Sequence, residues 1–145
     1  MKKILIINSN YYKNISKNLV ASAIKELSKD KLSISIIDVP GIFEIPITIK
    51  KNIKKFDGFI ALGCVIKGET PHFDLICSST FNSIMRLSID YSKPIGNGVI
   101  TALNNNQAIE RSKSFKSSKP NKGKEAANAV LFICLLYTSP SPRDK

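Results

Sequence analysis

Two stretches of this chain, Ile4–Ile7 and Phe59–Val65, carry no charged group and no polar side chain other than the Cys64 thiol. A strand with one face in water alternates apolar and polar residues, so a run that is apolar at each step needs cover on both faces. That requirement does most to limit what the chain can fold into. It points to a buried parallel sheet, and such a sheet needs helical crossovers between its strands.

The intervening segments have the period of helices. Ile15, Leu19, Val20, Ala23, Ile24 and Leu27 recur at helical spacing with lysines between them, and Asn14 suits the N-cap. Ser33–Val39 is β-branched and strand-like, and Pro40-Gly41 ends it. Pro46 suits the first turn of a helix running to about Lys54. From Phe73 onward, Ile76, Cys77, Phe81, Ile84, Leu87 and Tyr91 form one stripe, closed by Pro94. Ile95–Ile100 is a weaker strand, thinned by Gly96 and Gly98. A helix over Asn105–Lys113 is followed by a polar loop, Ser114–Gly123. A last helix begins near Lys124, with Ala126, Ala127, Val130, Ile133 and Cys134.

The order β-α-β-α-β-α-β-α-α predicts an α/β fold. Its form is a three-layer α/β/α sandwich around a four-stranded parallel sheet, doubly wound in the flavodoxin-like manner. Ligands of such sheets bind beyond the carboxyl ends of the strands. Four loops lie there: Asn8–Lys13, Val39–Glu44, Ile66–His72 and Thr101–Asn105. The 145 residues suit one domain, residues 1–136. Residues 137–145 share nothing with the periodicity before them and include Pro140 and Pro142. They read either as a foreign-looking tail or as an ordinary unstructured terminus.

Composition narrows the function. The formal charge is +11, yet only Arg86, Arg111 and Arg143 are arginines, and the lysines are scattered. Without a dense basic run or interleaved aromatics, the charge does not point to a nucleic-acid partner; it also suits anionic small substrates. The apolar runs are too short to span a bilayer, and no secretory leader is expected. Cys64, Cys77 and Cys134 lack metal-ligand spacing and sit in apolar segments, so buried free thiols in a reducing cytoplasm are expected.

The densest set of chemical groups is Gly63-Cys-Val-Ile-Lys-Gly-Glu-Thr-Pro-His72-Phe-Asp74. It joins a buried strand to a helix. Gly68 permits a tight turn, and backbone amides with the Thr70 hydroxyl near a helix start can hold an anion. His72 is the only histidine. At a helix N-terminus the dipole favours neutral imidazole, which can accept and return a proton, though a capping or packing role fits the same position. Neither a Walker loop nor a dinucleotide fingerprint is present. In Pro40-Gly-Ile-Phe-Glu44-Ile-Pro46, Glu44 can either cap the helix or read a heterocycle's polar edge. Tyr11 and Tyr12 can stack on a ring or sit on the surface. Arg111 can grip a phosphate or pair with Glu110.

Taken in order, five segments resemble the 6,7-dimethyl-8-ribityllumazine synthase family. They are Gly41-Ile-Phe-Glu-Ile-Pro46, Ala61 to Asp74, Asn97-Gly-Val-Ile-Thr101, Gln107-Ala-Ile-Glu-Arg111 and Asn121-Lys-Gly-Lys-Glu-Ala-Ala127. The likeness runs from Lys3 to about Leu136, and the stretch around Gly68 and His72 is its most specific part.

The resemblance implies condensation of 5-amino-6-(D-ribitylamino)uracil with 3,4-dihydroxy-2-butanone 4-phosphate, with no metal and no organic cofactor. Tyr11 then matches an aromatic that stacks on the pyrimidine. Ile42, Phe43 and Glu44 match contacts to the ring and ribityl chain, and Cys64, Val65 and Ile66 a strand end whose backbone reads the ring. Glu69 and Thr70 match a phosphate loop, and His72 the proton-transfer residue. Asn97 and Arg111 match groups supplied by a neighbouring subunit, Arg111 to the phosphate; Lys122 matches a lysine near the site. The implied assembly is a homopentamer or a multiple of it. Asn97 departs from the family, many members having Phe there. Asn106 replaces the usual Glu, and the Ser112–Asn121 loop looks long. A related module that binds a flavin without synthesis is the alternative, and the joint presence of Thr70 and Arg111 argues against it.

Overall fold

The computed structural model describes residues 1–68, 73–113 and 121–138. Four strands, β1 (Lys2–Ser9), β2 (Leu32–Val39), β3 (Gly58–Ile66) and β4 (Ile95–Ala102), form one sheet in the order β2-β1-β3-β4. Each neighbouring pair is parallel. Among the described residues five helices accompany them: α1 (Lys13–Leu27), α2 (Ile45–Lys51), α3 (Phe73–Tyr91), α4 (Asn105–Ser112) and α5 (Lys122–Thr138). This is the doubly wound α/β arrangement expected of the strand–helix alternation.

Strand alternation sorts the core into two halves. Ile4, Ile6, Ile60, Leu62 and Ile100 face α1, α4 and α5, meeting Leu19, Ala23, Ala108, Ala127 and Val130. Leu5, Ile7, Phe59, Ala61 and Val99 face α2 and α3, meeting Ile45, Ile49, Cys77 and Ile84. All nine residues of β3 are buried, because it lies between β1 and β4 with helices on both faces. On β4, a Cβ at Gly96 would collide with the Ala126 carbonyl, so α5 packs closer here than a side chain would permit.

Four local expectations change. Helix α1 starts at Lys13, with Tyr12 rather than Asn14 at the cap and no side-chain capping bond. Glu44 stands at the N-cap of α2 without capping it through its carboxylate. Helix α2 ends at Lys51, short of Lys54. There the Asn52 side-chain amide donates to the Thr48 carbonyl at 2.8 Å, and its backbone amide to that of Ile49 at 3.0 Å. Asn competes well for backbone groups and so terminates helices. Helix α5 begins two residues early for a similar reason. Asn121 Oδ1 accepts from the Lys124 amide at 2.9 Å, and its Nδ2 donates to the Ser112 and Lys113 carbonyls at 2.9 and 2.7 Å. One side chain thus caps α5 and ties it to the end of α4.

The strand ends are pinned at the edge where ligands are expected. The Asn10 amide donates to the Val39 carbonyl at 3.1 Å, and the Lys67 amide to the Ala102 carbonyl at 2.8 Å. Ser16 Oγ donates to the Ser9 carbonyl at 2.6 Å, fastening α1 to the end of β1.

Candidate active site

A cavity of about 200 Å3 opens at the carboxyl ends of β1 and β3, lined by Ser9, Tyr11, Tyr12, Gly41, Ile42, Phe43, Cys64, Val65 and Ile76. The lining follows from the strand order. β1 and β3 are neighbours, so the loop after β1 meets the end of β3. A single 3-10 turn, Ile42–Glu44, follows β2 and closes the third side. Helix α3 supplies Ile76 from above. The wall is mainly apolar, as a slot for a flat ring should be.

Tyr11 and Phe43 stand at the mouth, 69% and 64% exposed, which is unusual for large apolar rings. Tyr11 meets Tyr12 edge-on, with centroids 4.9 Å apart and planes at 81°. That leaves the Tyr11 face available for stacking. Ile42, Cys64 and Val65 are buried beneath. Ile66 is buried too, one residue beyond the lining. Glu44 is half-buried at the end of the 3-10 turn, and its Oε1 would lie 3.1 Å from a Cβ placed on Gly41. The Gly41 position therefore lets the carboxylate fold back beside the cavity rim.

The Cys64 thiol is pushed up from 9.0 to about 12 by burial, so it stays protonated at neutral pH and is no nucleophile. Cys77 is raised by burial and then by Asp74, and Cys134 chiefly by burial. All three are buried and outside any disulfide. Among the described residues no group of His, Cys, Asp and Glu is placed to hold a metal ion.

Gly68 has φ +90°, a left-handed conformation that suits glycine, so the chain turns sharply after β3. Glu69, Thr70 and His72 follow it and lie outside the described residues.

The remaining expected site residues do not reach this cavity. Asn97 pairs with Ala61 in the β3–β4 register, about 13 Å along the strand from Val65. Its Oδ1 accepts from the Val99 amide at 3.1 Å. Arg111 lies in the last turn of α4. Lys122 starts α5 and pairs with Glu125 at 3.4 Å. Glu110, the partner considered for Arg111, engages Lys113 at 3.3 Å. The fold thus collects the apolar half of the expected set and holds the outlying polar residues elsewhere.

The comparison with known proteins follows the same segments. The profile for 6,7-dimethyl-8-ribityllumazine synthase matches residues 1–137. The chain belongs to the 6,7-dimethyl-8-ribityllumazine synthase family. Proteins of that name from Bartonella bacilliformis, Campylobacter curvus and Corynebacterium urealyticum are 39%, 38% and 35% identical to it. The alignments span 92%, 94% and 92% of this chain and 88%, 88% and 83% of those proteins. Lumazine synthases are transferases of riboflavin biosynthesis, and the chain is an enzyme of that kind. No helix among the described residues is long and apolar enough to cross a membrane.

Three lining residues were not singled out from the sequence, Ser9, Gly41 and Ile76, whereas Tyr12 stood beside Tyr11 as a possible stacking ring. Tyr12 and Gly41 already lay within loops at the right end of the sheet. Ile76 was legible only as part of a helical stripe, and Ser9 only as a member of the expected Asn8–Lys13 loop.

Proposed function

We propose that residues 1–136 form the catalytic domain, and that it works as a homopentamer, or a multiple of one, in the cytoplasm. It condenses 5-amino-6-(D-ribitylamino)uracil with 3,4-dihydroxy-2-butanone 4-phosphate to give 6,7-dimethyl-8-ribityllumazine, phosphate and water. The substrate amine attacks the ketone and water leaves as the imine forms. Loss of phosphate leaves a second carbonyl, and attack on it by the second amine, with departure of a second water, completes the ring.

One observation carries the shared-site reading. The cavity joins Tyr11, Ile42, Phe43, Cys64 and Val65, while Asn97, Arg111 and Lys122 of the same chain lie apart from it. A phosphorylated substrate in an apolar slot needs a cation, and a second copy of the chain can bring Arg111 to the open mouth. In this reading Tyr11 stacks on the pyrimidine, and Ile42, Phe43 and Glu44 hold the ring and ribityl chain. The backbone of Cys64, Val65 and Ile66 reads the ring edge. Glu69, Thr70 and the neighbour's Arg111 bind phosphate, and His72 transfers protons. Asn97 and Lys122 complete the site across the interface. Much of the acceleration comes from holding two reactants together. Buried thiols outside any disulfide suit a reducing compartment.

Purified protein mixed with both substrates should yield a fluorescent lumazine and one phosphate per turnover. A folded oligomer that makes neither defeats the reading. Replacing His72→Ala should lower turnover about 100- to 10,000-fold without altering the solution mass. An unchanged rate removes His72 from the mechanism.

A further inference from the structure

The floor of the cavity holds one polar side chain with nothing to bond. Ser9 ends β1, is 2% exposed and lines the cavity. Its Oγ is sealed from bulk water and has no hydrogen-bond partner among the described residues. The Ser9 carbonyl, by contrast, is satisfied by Ser16 Oγ at 2.6 Å, so the backbone here is held firmly.

Alternation along β1 turns the Ser9 side chain to the same face as Leu5 and Ile7, toward α2 and α3. Its surroundings there are crowded and apolar. A Cβ on Gly63 would stand 2.9 Å from Ser9 Cβ, 3.0 Å from Ile42 Cγ2 and 3.5 Å from Ser9 Oγ. No protein acceptor serves the hydroxyl, and an alanine would fill the position without the cost of an unpaired polar group. A buried unsatisfied hydroxyl in a cavity wall calls for a partner that enters the cavity.

We propose that Ser9 is a specificity-determining residue whose hydroxyl bonds a polar edge atom of the planar heterocycle held in this cavity. The inference deepens the reading of the cavity as the ribitylaminouracil pocket and rests on that reading. A serine hydroxyl has three staggered positions about χ1, and it both donates and accepts. It can therefore serve either a ring carbonyl or a ring N–H of a pyrimidinedione. The Cys64 thiol nearby is a weak hydrogen-bonding group and does not replace it. A heterocycle with an apolar edge at this point would leave the hydroxyl unpaired and be rejected.

The test is Ser9→Ala in the full chain, assayed beside the wild type. The KM for ribitylaminouracil should rise about tenfold, that for the butanone phosphate should stay within about twofold, and the ligand-free Tm should be equal or higher. A lower Tm with unchanged KM, or an equal rise in both KM values, overturns the proposal. Ser9→Cys keeps the volume and offers only a weak donor, so it should show the same selective rise if the alanine variant does not fold. Should the wild type make no lumazine, the functional reading fails on its own. Calorimetric titration with ribitylaminouracil then decides for Ser9: weaker binding by Ser9→Ala supports it, and equal or absent binding overturns it.

Discussion

Helices α1 and α3 pack on opposite faces of the same sheet and finish their outer surfaces differently. The exposed positions of α1 include Lys13, Asn14, Lys17, Asn18 and Lys25, while Ile15, Leu19, Ala23 and Leu27 are buried. Helix α3 buries Cys77 and Ile84 but leaves Leu75 68%, Met85 62% and Ile89 68% exposed. Among them lie Ser78, Ser79, Asn82 and Ser83, small or uncharged and also exposed, with Arg86 and Asp90 paired to each other at 3.7 Å. One helix is complete as a surface in water. The other has the composition of a face that another protein surface covers. The contrast fits the proposed shared site, in which a second copy of the chain covers one face.

The strongest way to break this contrast is to put charge on α3. The double replacement Met85→Lys with Ile89→Lys should reduce the solution mass to that of one chain and lower turnover at least about 100-fold, because the shared site is lost. An unaltered mass by light scattering would mean that α3 is not covered.

Leu19→Ala probes the finished face. It should cost about 2–5 kcal/mol in denaturant unfolding, with activity retained by the molecules that remain folded. The thermal midpoint of the wild type, by comparison, should climb with protein concentration, as it does for a fold completed by association.

Cys64 belongs to the core beneath α1 and tests that face by pH. Burial raises its thiol from 9.0 to about 12, so folding favours the protonated form. Its contribution is therefore full below pH 9 and lost as the pH rises from there toward 12, where the unfolded chain ionises first. Denaturation midpoints of wild type and Cys64→Ala should converge over that range; a constant gap would contradict the burial argument.

The smallest effect belongs to Lys17→Glu on α1. Stability should move by no more than about 0.5 kcal/mol, with mass and turnover unchanged. A loss of assembly here would reverse the assignment of the two faces.

Local pattern made the helices and strands readable to within a few residues, with α2 and α5 as instructive exceptions. Both boundaries were set by an asparagine that bonds backbone groups: Asn52 stops α2, and Asn121 starts α5. Asn121 also reaches across to the end of α4, a choice that depends on chain approach rather than on local propensity. The site was legible in segments. Tyr11, Ile42, Phe43, Cys64 and Val65 meet at one cavity because the expected loops follow adjacent strands. Ser9 was not legible, since its neighbours Gly63 and Ile42 are distant in sequence.

The sequence by itself determined the parallel sheet, its helical cover and the edge where ligands bind. Continuous apolar runs cannot be satisfied except by burial on both faces, and that constraint is local. The tertiary structure decided which residues share a cavity, which hydroxyl lies unpaired in its wall, and that Asn97, Arg111 and Lys122 stand apart from it. It also decided that Leu75, Met85 and Ile89 of α3 face outward. These are matters of strand order and register, where one sequence pattern is compatible with several neighbours and only packing selects among them.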